Sequence, residues 1–174
     1  MNLIKSDRQR KGEMPLYQPI LRRLQSINGR SMWRGGVAKC LYSIIYRLAG
    51  LLYCNEISYE AEIGPGLYIG HPIGITVNRH AKIGKNCNIH KGVTIGQENR
   101  GKRKGTPIIG DNVWMGINCT IVGRITIGDD VLIAPNSYVN CDIPSHSIVF
   151  GNPCIIKHCD HATRDYINNI YKEN

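Results

Sequence analysis

Phenylalanine occurs once in these 174 residues and tryptophan twice, so the interior cannot rest on packed aromatic rings and must be aliphatic. The seven cysteines, Cys40, Cys54, Cys87, Cys119, Cys141, Cys154 and Cys159, are odd in number and contain no CxxC pair. That argues against a zinc ribbon or a disulfide framework and for a reduced protein, with the cytoplasm as the expected compartment. No secretory signal pattern opens the sequence. The longest apolar run, residues 41–54, is interrupted by Arg47, and a spanning helix needs about 20 apolar residues. Acids are scarce, 13 against 22 Lys and Arg. At 42% hydrophobic and 20% charged residues, disorder and membrane bundles are both excluded.

The net charge of +9 is lopsided. Residues 1–56 hold ten Lys and Arg against three acids, whereas residues 57–174 are nearly balanced, with twelve against ten. Such a basic arm attracts phosphates, anionic headgroups or an acidic polymer, or merely solvates the chain. Residues 16–26 and 31–54 read as helices. The second carries Val37, Leu41, Ile44, Ile45, Leu48, Leu51 and Leu52 on one broad side, a face expected to cap a core.

From Ile57 onward an apolar residue recurs every six positions. The column runs Ile57, Ile63, Ile69, Ile75, then Ile83, Ile89, Ile95, then Ile109, Met115, Ile121, Ile127, Ile133, Val139. All thirteen positions are apolar, where the overall composition would supply between five and six, and a period of six is neither helical nor that of a simple strand. One inward aliphatic per short strand, then a turn with a small residue, is the pattern of a triangular parallel coil with three units per turn. Stacking buries the column, so the repeat stabilises only collectively. Cys87 and Cys119 fall at small core positions.

Two phase breaks interrupt the pattern. The first adds two residues and is assigned to a corner near 78–82. The second inserts residues 97–108, QENRGKRKGTPI, with four bases and one acid, and loops of this kind emerge on working faces. Residues 163–172 read as a short helix with Tyr166, Ile167, Ile170 and Tyr171 on one side. The organisation expected is an N-terminal helical arm over 1–55, a β-helix over 56–158 with the insertion at 97–108, and a C-terminal helix within 159–174.

The repeat, together with GLYIGHPIGITV (66–77), IGDNVWMG (109–116) and GNPC (151–154), resembles the hexapeptide-repeat acyltransferases, and within them the serine acetyltransferase-like branch. The resemblance implies a mainly β fold, a left-handed parallel β-helix, the hand being taken from the family because parallel crossovers are otherwise right-handed. It also implies transfer of acetyl from acetyl-CoA as co-substrate, without a metal. His71 matches the family's general base, and an imidazole suits the task because its pKa lies near neutrality. Glu56 matches the carboxylate that orients it, where the family has Asp, and Gly70 replaces an acid that normally precedes the histidine. Fifteen residues separate Glu56 from His71, three short of one 18-residue coil. For the cofactor, Ile117, Pro135 and Asn140 match backbone contacts, with Trp114 packing nearby and Lys157 a phosphate partner.

The resemblance further implies a homotrimer with active sites between subunits. Serine acetyltransferases carry an Arg-His pair in the inserted loop, and here those positions are Gly105 and Thr106. A sugar hydroxyl, on a free sugar or a surface-polysaccharide precursor, is therefore the first expectation for the acceptor, and serine the second. Peripheral contact with a membrane surface is left open. No nucleic-acid motif appears. A γ-carbonic-anhydrase-like metal site needs two histidines five residues apart, whereas 71, 80 and 90 are spaced by nine and ten. The run from His158 to His161 is read as a polar tail.

Overall fold

The computed structural model describes residues 2–11, 14–28 and 32–172. Three helices, α1 (Leu3–Lys11), α2 (Tyr17–Asn28) and α3 (Met32–Tyr53), precede fifteen short strands. Sheet A stacks β1 (Glu56–Ile57), β4 (Thr76–Val77), β7 (Thr94–Gly96), β10 (Thr120–Val122) and β13 (Tyr138–Val139). Sheet B stacks β2 (Glu62–Ile63), β5 (Lys82–Ile83), β8 (Ile108–Ile109) and β11 (Thr126–Ile127). Sheet C stacks β3 (Tyr68–Gly70), β6 (Asn88–His90), β9 (Val113–Met115), β12 (Val131–Ile133) and β14 (Ser147–Phe150), and β15 (Ile155–His158) closes it antiparallel. The chain visits A, B and C in rotation, so every strand except β15 pairs in parallel with strands one turn away. The result is a triangular β-helix of about five turns.

Its axis is filled by the six-residue column. Ile89, Ile95, Met115, Ile121 and Ile133 have no exposed surface, each stabilising by roughly 1.5–3 kcal/mol. Cys87 and Cys119 sit among them, and burial pushes both thiols up to about 12. They are packing groups at neutral pH.

The phase of the first coil differs from the expected one. Glu56 lies beside Thr76, twenty residues on, whereas Thr76 lies beside Thr94, eighteen on. Val77, not Ile75, occupies the inward column of sheet A, and the two extra residues fall between Ile69 and Val77 rather than near 78–82. Periodicity could not separate the alternatives, because Ile75 and Val77 are both apolar and both buried. The insertion therefore lies in the corner that carries His71. A further shortening places Ile143 beside Ile127.

Beneath the first coil, α2 presents Tyr17, Leu21 and Leu24, all fully buried, and this helix forms most of the cap. The hydroxyl of Tyr17 bonds that of Tyr46 on α3, which donates to the carbonyl of Ile57. The expected capping face of α3 is not the one used. Tyr46 and Ala49 face the core, while Val37 (88% exposed), Leu51 (76%) and Leu52 (82%) point outward. A helix apolar nearly all round has two faces to choose from, and the tyrosines supply polar ends for the buried carbonyl of Ile57. The expected start of this helix, residue 31, lies outside the described residues. Among the described residues, no helix is long and apolar enough to cross a membrane.

The C-terminal segment is a string of turns, not the expected helix. Asp130 accepts from the backbone of Ala162 and from the backbone and hydroxyl of Thr163, nucleating one turn. Asp165 and Asn169 then adopt left-handed φ values of 67° and 55°, which end any helix. The extended remainder bonds instead to side chains on the β-helix: Asn88 donates to Tyr166 O, and Asn86 accepts from Tyr171 N.

Candidate active site

His71 occupies the corner between sheets C and A, where the chain leaves β3 and enters β4 after five intervening residues, 71–75. Its φ is +55°, a backbone state that costs a side-chain-bearing residue roughly 1–3 kcal/mol. The imidazole is exposed. Several hydrogen bonds hold this enlarged corner. Ile73 N donates to His71 O at 2.8 Å, a tight three-residue turn. Gly74 N donates to Tyr53 O at the end of α3, and Gly92 N on the next coil donates to Ile73 O.

The central tie is Asn55, buried with 6% exposure. Its side-chain amide donates to Pro72 O at 2.9 Å, and its side-chain oxygen accepts from Ile75 N at 2.8 Å. The Asn55 backbone N–H donates to Gly50 O, which fixes the residue to the end of α3. No repeat position or motif marks Asn55 in the sequence. The only available signal was a polar amide between an apolar helix and the first strand.

Glu56 follows at once and opens sheet A at the same corner. Its backbone N–H donates to Ile75 O at 2.8 Å. Because this coil has twenty residues, His71 lies five residues short of the position stacked on Glu56, not three. Both side chains are exposed, and no hydrogen bond joins them. Beside the corner a largely apolar hollow of about 530 Å³ is bounded by Arg47, Leu51, Cys54, Asn55 and Glu56.

The matched cofactor residues divide among several places. Ile117 and Pro135 stand on the same C/A edge as His71, linked along it by Asn118 N donating to Lys91 O and Asn136 N donating to Ile117 O. Asn140 follows β13 and lies on the A/B edge instead, the edge from which the basic insertion projects. Lys157 lies on β15, its ammonium 5.5 Å from the centre of the Phe150 ring. Trp114 is on the outer face of sheet C, its ring 4.8 Å from His90 and 5.0 Å from Tyr166.

That face explains the glycine before the histidine. Gly70 pairs with His90 across the strands, and a Cβ at residue 70 would stand 2.6 Å from His90 Nδ1. The imidazole of His90 occupies the space that an acid at position 70 would need. The insertion is a hairpin closed by reciprocal bonds between Glu98 and Gly105, with Lys102, Arg103 and Lys104 exposed near its tip. Thr106 donates to the carbonyl of His80. His146 is bonded to Asp130 and His158 to Asp160. Among the described residues, no three His, Cys, Asp or Glu side chains converge as a metal site.

Residues 106–141 match the family model described as bacterial transferase hexapeptide (six repeats). The chain belongs to the hexapeptide-repeat acyltransferase superfamily. It is 40% identical over 98 residues to the serine acetyltransferase of Staphylococcus xylosus, covering 56% of this chain and 45% of that protein. Identity to the Helicobacter pylori serine acetyltransferase is 34% over 116 residues, covering 67% and 66%. The chain thus spans less than two thirds of the length of either relative. In three dimensions it resembles the Neisseria gonorrhoeae serine acetyltransferase in complex with serine, with a TM-score of 0.70, 25% identity, and coverage of 88% of this chain and 67% of that one. This hexapeptide-repeat chain is accordingly a left-handed β-helix, as expected.

The expected glycan acceptor is overturned by the same findings. The relatives of this hexapeptide-repeat protein are serine acetyltransferases, which favours the second expectation over the first. The sugar expectation rested on Gly105 and Thr106 in the loop, on the form of the GLYIGHP motif and on the short N-terminal arm, and none of these outweighs the similarity to serine acetyltransferases.

Proposed function

We propose that this protein is a serine O-acetyltransferase that moves the acetyl group of acetyl-CoA onto the hydroxyl of serine. The observation that carries the reading is the placement of His71 on a widened, hydrogen-bonded corner, exposed at an edge of the β-helix, in a chain similar to serine acetyltransferases. His71 takes the hydroxyl proton as the serine oxygen attacks the thioester carbonyl. The tetrahedral intermediate collapses with cleavage of the C–S bond, and the imidazolium returns its proton to the departing thiolate. Glu56 orients the imidazole and stabilises its protonated form, a contact made by rotation of two exposed side chains on one corner.

Acetyl-CoA lies along the C/A edge, where Ile117 and Pro135 continue the line of His71. Asn140, Trp114 and Lys157 fit a single cofactor only if a second copy contributes part of the groove. A homotrimer supplies that arrangement, with the A/B edge and basic hairpin of one copy facing the C/A edge of the next. Lys102, Arg103 or Lys104 then meets the serine carboxylate as a point charge, in place of a bidentate guanidinium. The test is release of CoA from acetyl-CoA in the presence of serine, with O-acetylserine identified as product. Turnover that ignores serine rejects the reading.

A further inference from the structure

Two guanidinium groups are buried under the outer elements of the first coils, and among the described residues a carboxylate pairs with only one. Arg22, 1% exposed, is paired with Asp7 at 2.7 Å and donates to the carbonyls of Ile63 and Gly64. The remaining capacity of Asp7 is taken by Gln18 and the backbone of Leu67. Arg10, 5% exposed, donates only to neutral acceptors: Asn168 O at 3.2 Å, Gly66 O at 2.9 Å and Asn88 Oδ1 at 2.7 Å. Among the described residues it has no acidic partner within ion-pair distance. Burial draws its pKa down, more than the neighbouring Cys87 and Asp7 raise it.

Arg10 lines a cleft of about 260 Å³ on the outer face of sheet C. Asn88, Asn168 and Asn169 line it beside Arg10, and the rest of the wall is flat: Tyr68, His90, Trp114 and Tyr166 follow one another with ring centroids 4.8–6.1 Å apart. At about 30 Å³ for each water in the liquid, the volume is that of roughly nine waters. A guanidinium has five N–H donors, and three bonds to the chain leave two. A buried cation without a counter-charge is costly, and a ligand anion offsets that cost.

We propose that this cleft is a binding site for a small carboxylic acid with a flat, apolar body. Its carboxylate meets the free donors of Arg10, and its body lies against the ring wall formed by Trp114 and Tyr166. The Arg10 end of the cleft is separate from the His71 corner, whereas its His90 wall runs beside Gly70. Arg10 bonds at Gly66, on the B/C side of β3, and His71 leaves the opposite end, so five residues of chain separate the two. At about 3.3 Å per residue that span exceeds the length of serine. The inference rests on Arg10 and Tyr166 and not on the base assigned to His71, and it shares Trp114 with the cofactor groove proposed above.

Benzoate is a suitable probe, with benzamide as its neutral counterpart, titrated against the whole protein while the indole N–H resonance of Trp114 is followed. Saturable binding of benzoate, at least about tenfold tighter than benzamide, is expected from one charge-assisted contact. Arg10→Gln removes that preference. Tyr166→Ala, which alters a half-exposed ring and leaves the backbone bond to Asn88 in place, weakens benzoate without unfolding the chain. His71→Ala leaves the binding unchanged. Equal affinity for benzoate and benzamide, or undiminished binding in Tyr166→Ala, overturns the proposal even if Arg10→Gln fails to fold.

Discussion

The side-chain amide of Asn55 donates to the carbonyl of Pro72 at 2.9 Å, across seventeen residues of sequence. With its oxygen on Ile75 N, one side chain grips both limbs of the corner that presents His71. Asn55→Ala releases a buried N–H and a carbonyl together, at about 1–3 kcal/mol for each unsatisfied group. We expect a lower urea midpoint and a fall in kcat of at least about tenfold from loss of alignment, with KM for acetyl-CoA little changed. Asn55→Asp restores the acceptor for Ile75 N and not the donor for Pro72, so it should recover part of the loss. Unchanged kcat in Asn55→Ala would remove the residue from the positioning of His71.

Gly70 and His90 form a matched pair. A methyl at residue 70 collides with an imidazole that is itself backed by Trp114, and overpacking of this kind costs roughly 1–3 kcal/mol. Gly70→Ala should lower Tm by several degrees, and His90→Ala in the same chain should return part of it. A double-mutant cycle from thermal unfolding gives the coupling, and additive effects would show that the ring does not fill that space.

Asp130 fastens the C-terminal turns. Burial alone would raise its pKa, but hydrogen bonds from the hydroxyl and backbone of Thr163, from His146 and from Ala162 outweigh it and hold the carboxyl below its ordinary value. A depressed pKa contributes stability that is present above the unfolded-state value and lost as pH falls through the folded one. Loss of protection in residues 162–172 should therefore begin as pH falls through the normal aspartate range and be complete only below it. Asp130→Asn should bring that loss to neutral pH, at about 1–3 kcal/mol. Hydrogen exchange of the Ala162 and Thr163 amides measures it.

Much of this architecture is legible in the chain because burial of one aliphatic per six residues repeats often enough to override local ambiguity. It fails where apolar residues are too dense: Ile75 and Val77 both fit the column, so the widened corner was misplaced by one strand. The same density misdirected α3, whose two apolar faces periodicity cannot rank. α1 gave no signal because LIKSDRQRK is anchored by polar burial of Asp7 and Arg10, which leaves no hydrophobic period to read. Asn55 was silent for the same reason, whereas His71 is singled out by the family motif and not by spacing.

The exposed thiols offer a control on the hollow beside Glu56. Cys54 lines it and is exposed, whereas Cys87 and Cys119 are held up to about 12 by burial. Limited alkylation at neutral pH should label Cys54 well before the two core thiols, and mass spectrometry of the digested protein reads the order. Early labelling of Cys87 would contradict the packed core.

The most direct measurement is serine-dependent release of CoA by the wild type and by His71→Ala, from about pH 5.5 to about pH 9. The variant should fall by roughly 10²–10⁴-fold across that range, with the β-helix intact by circular dichroism. Full activity in His71→Ala would contradict the assignment of the base.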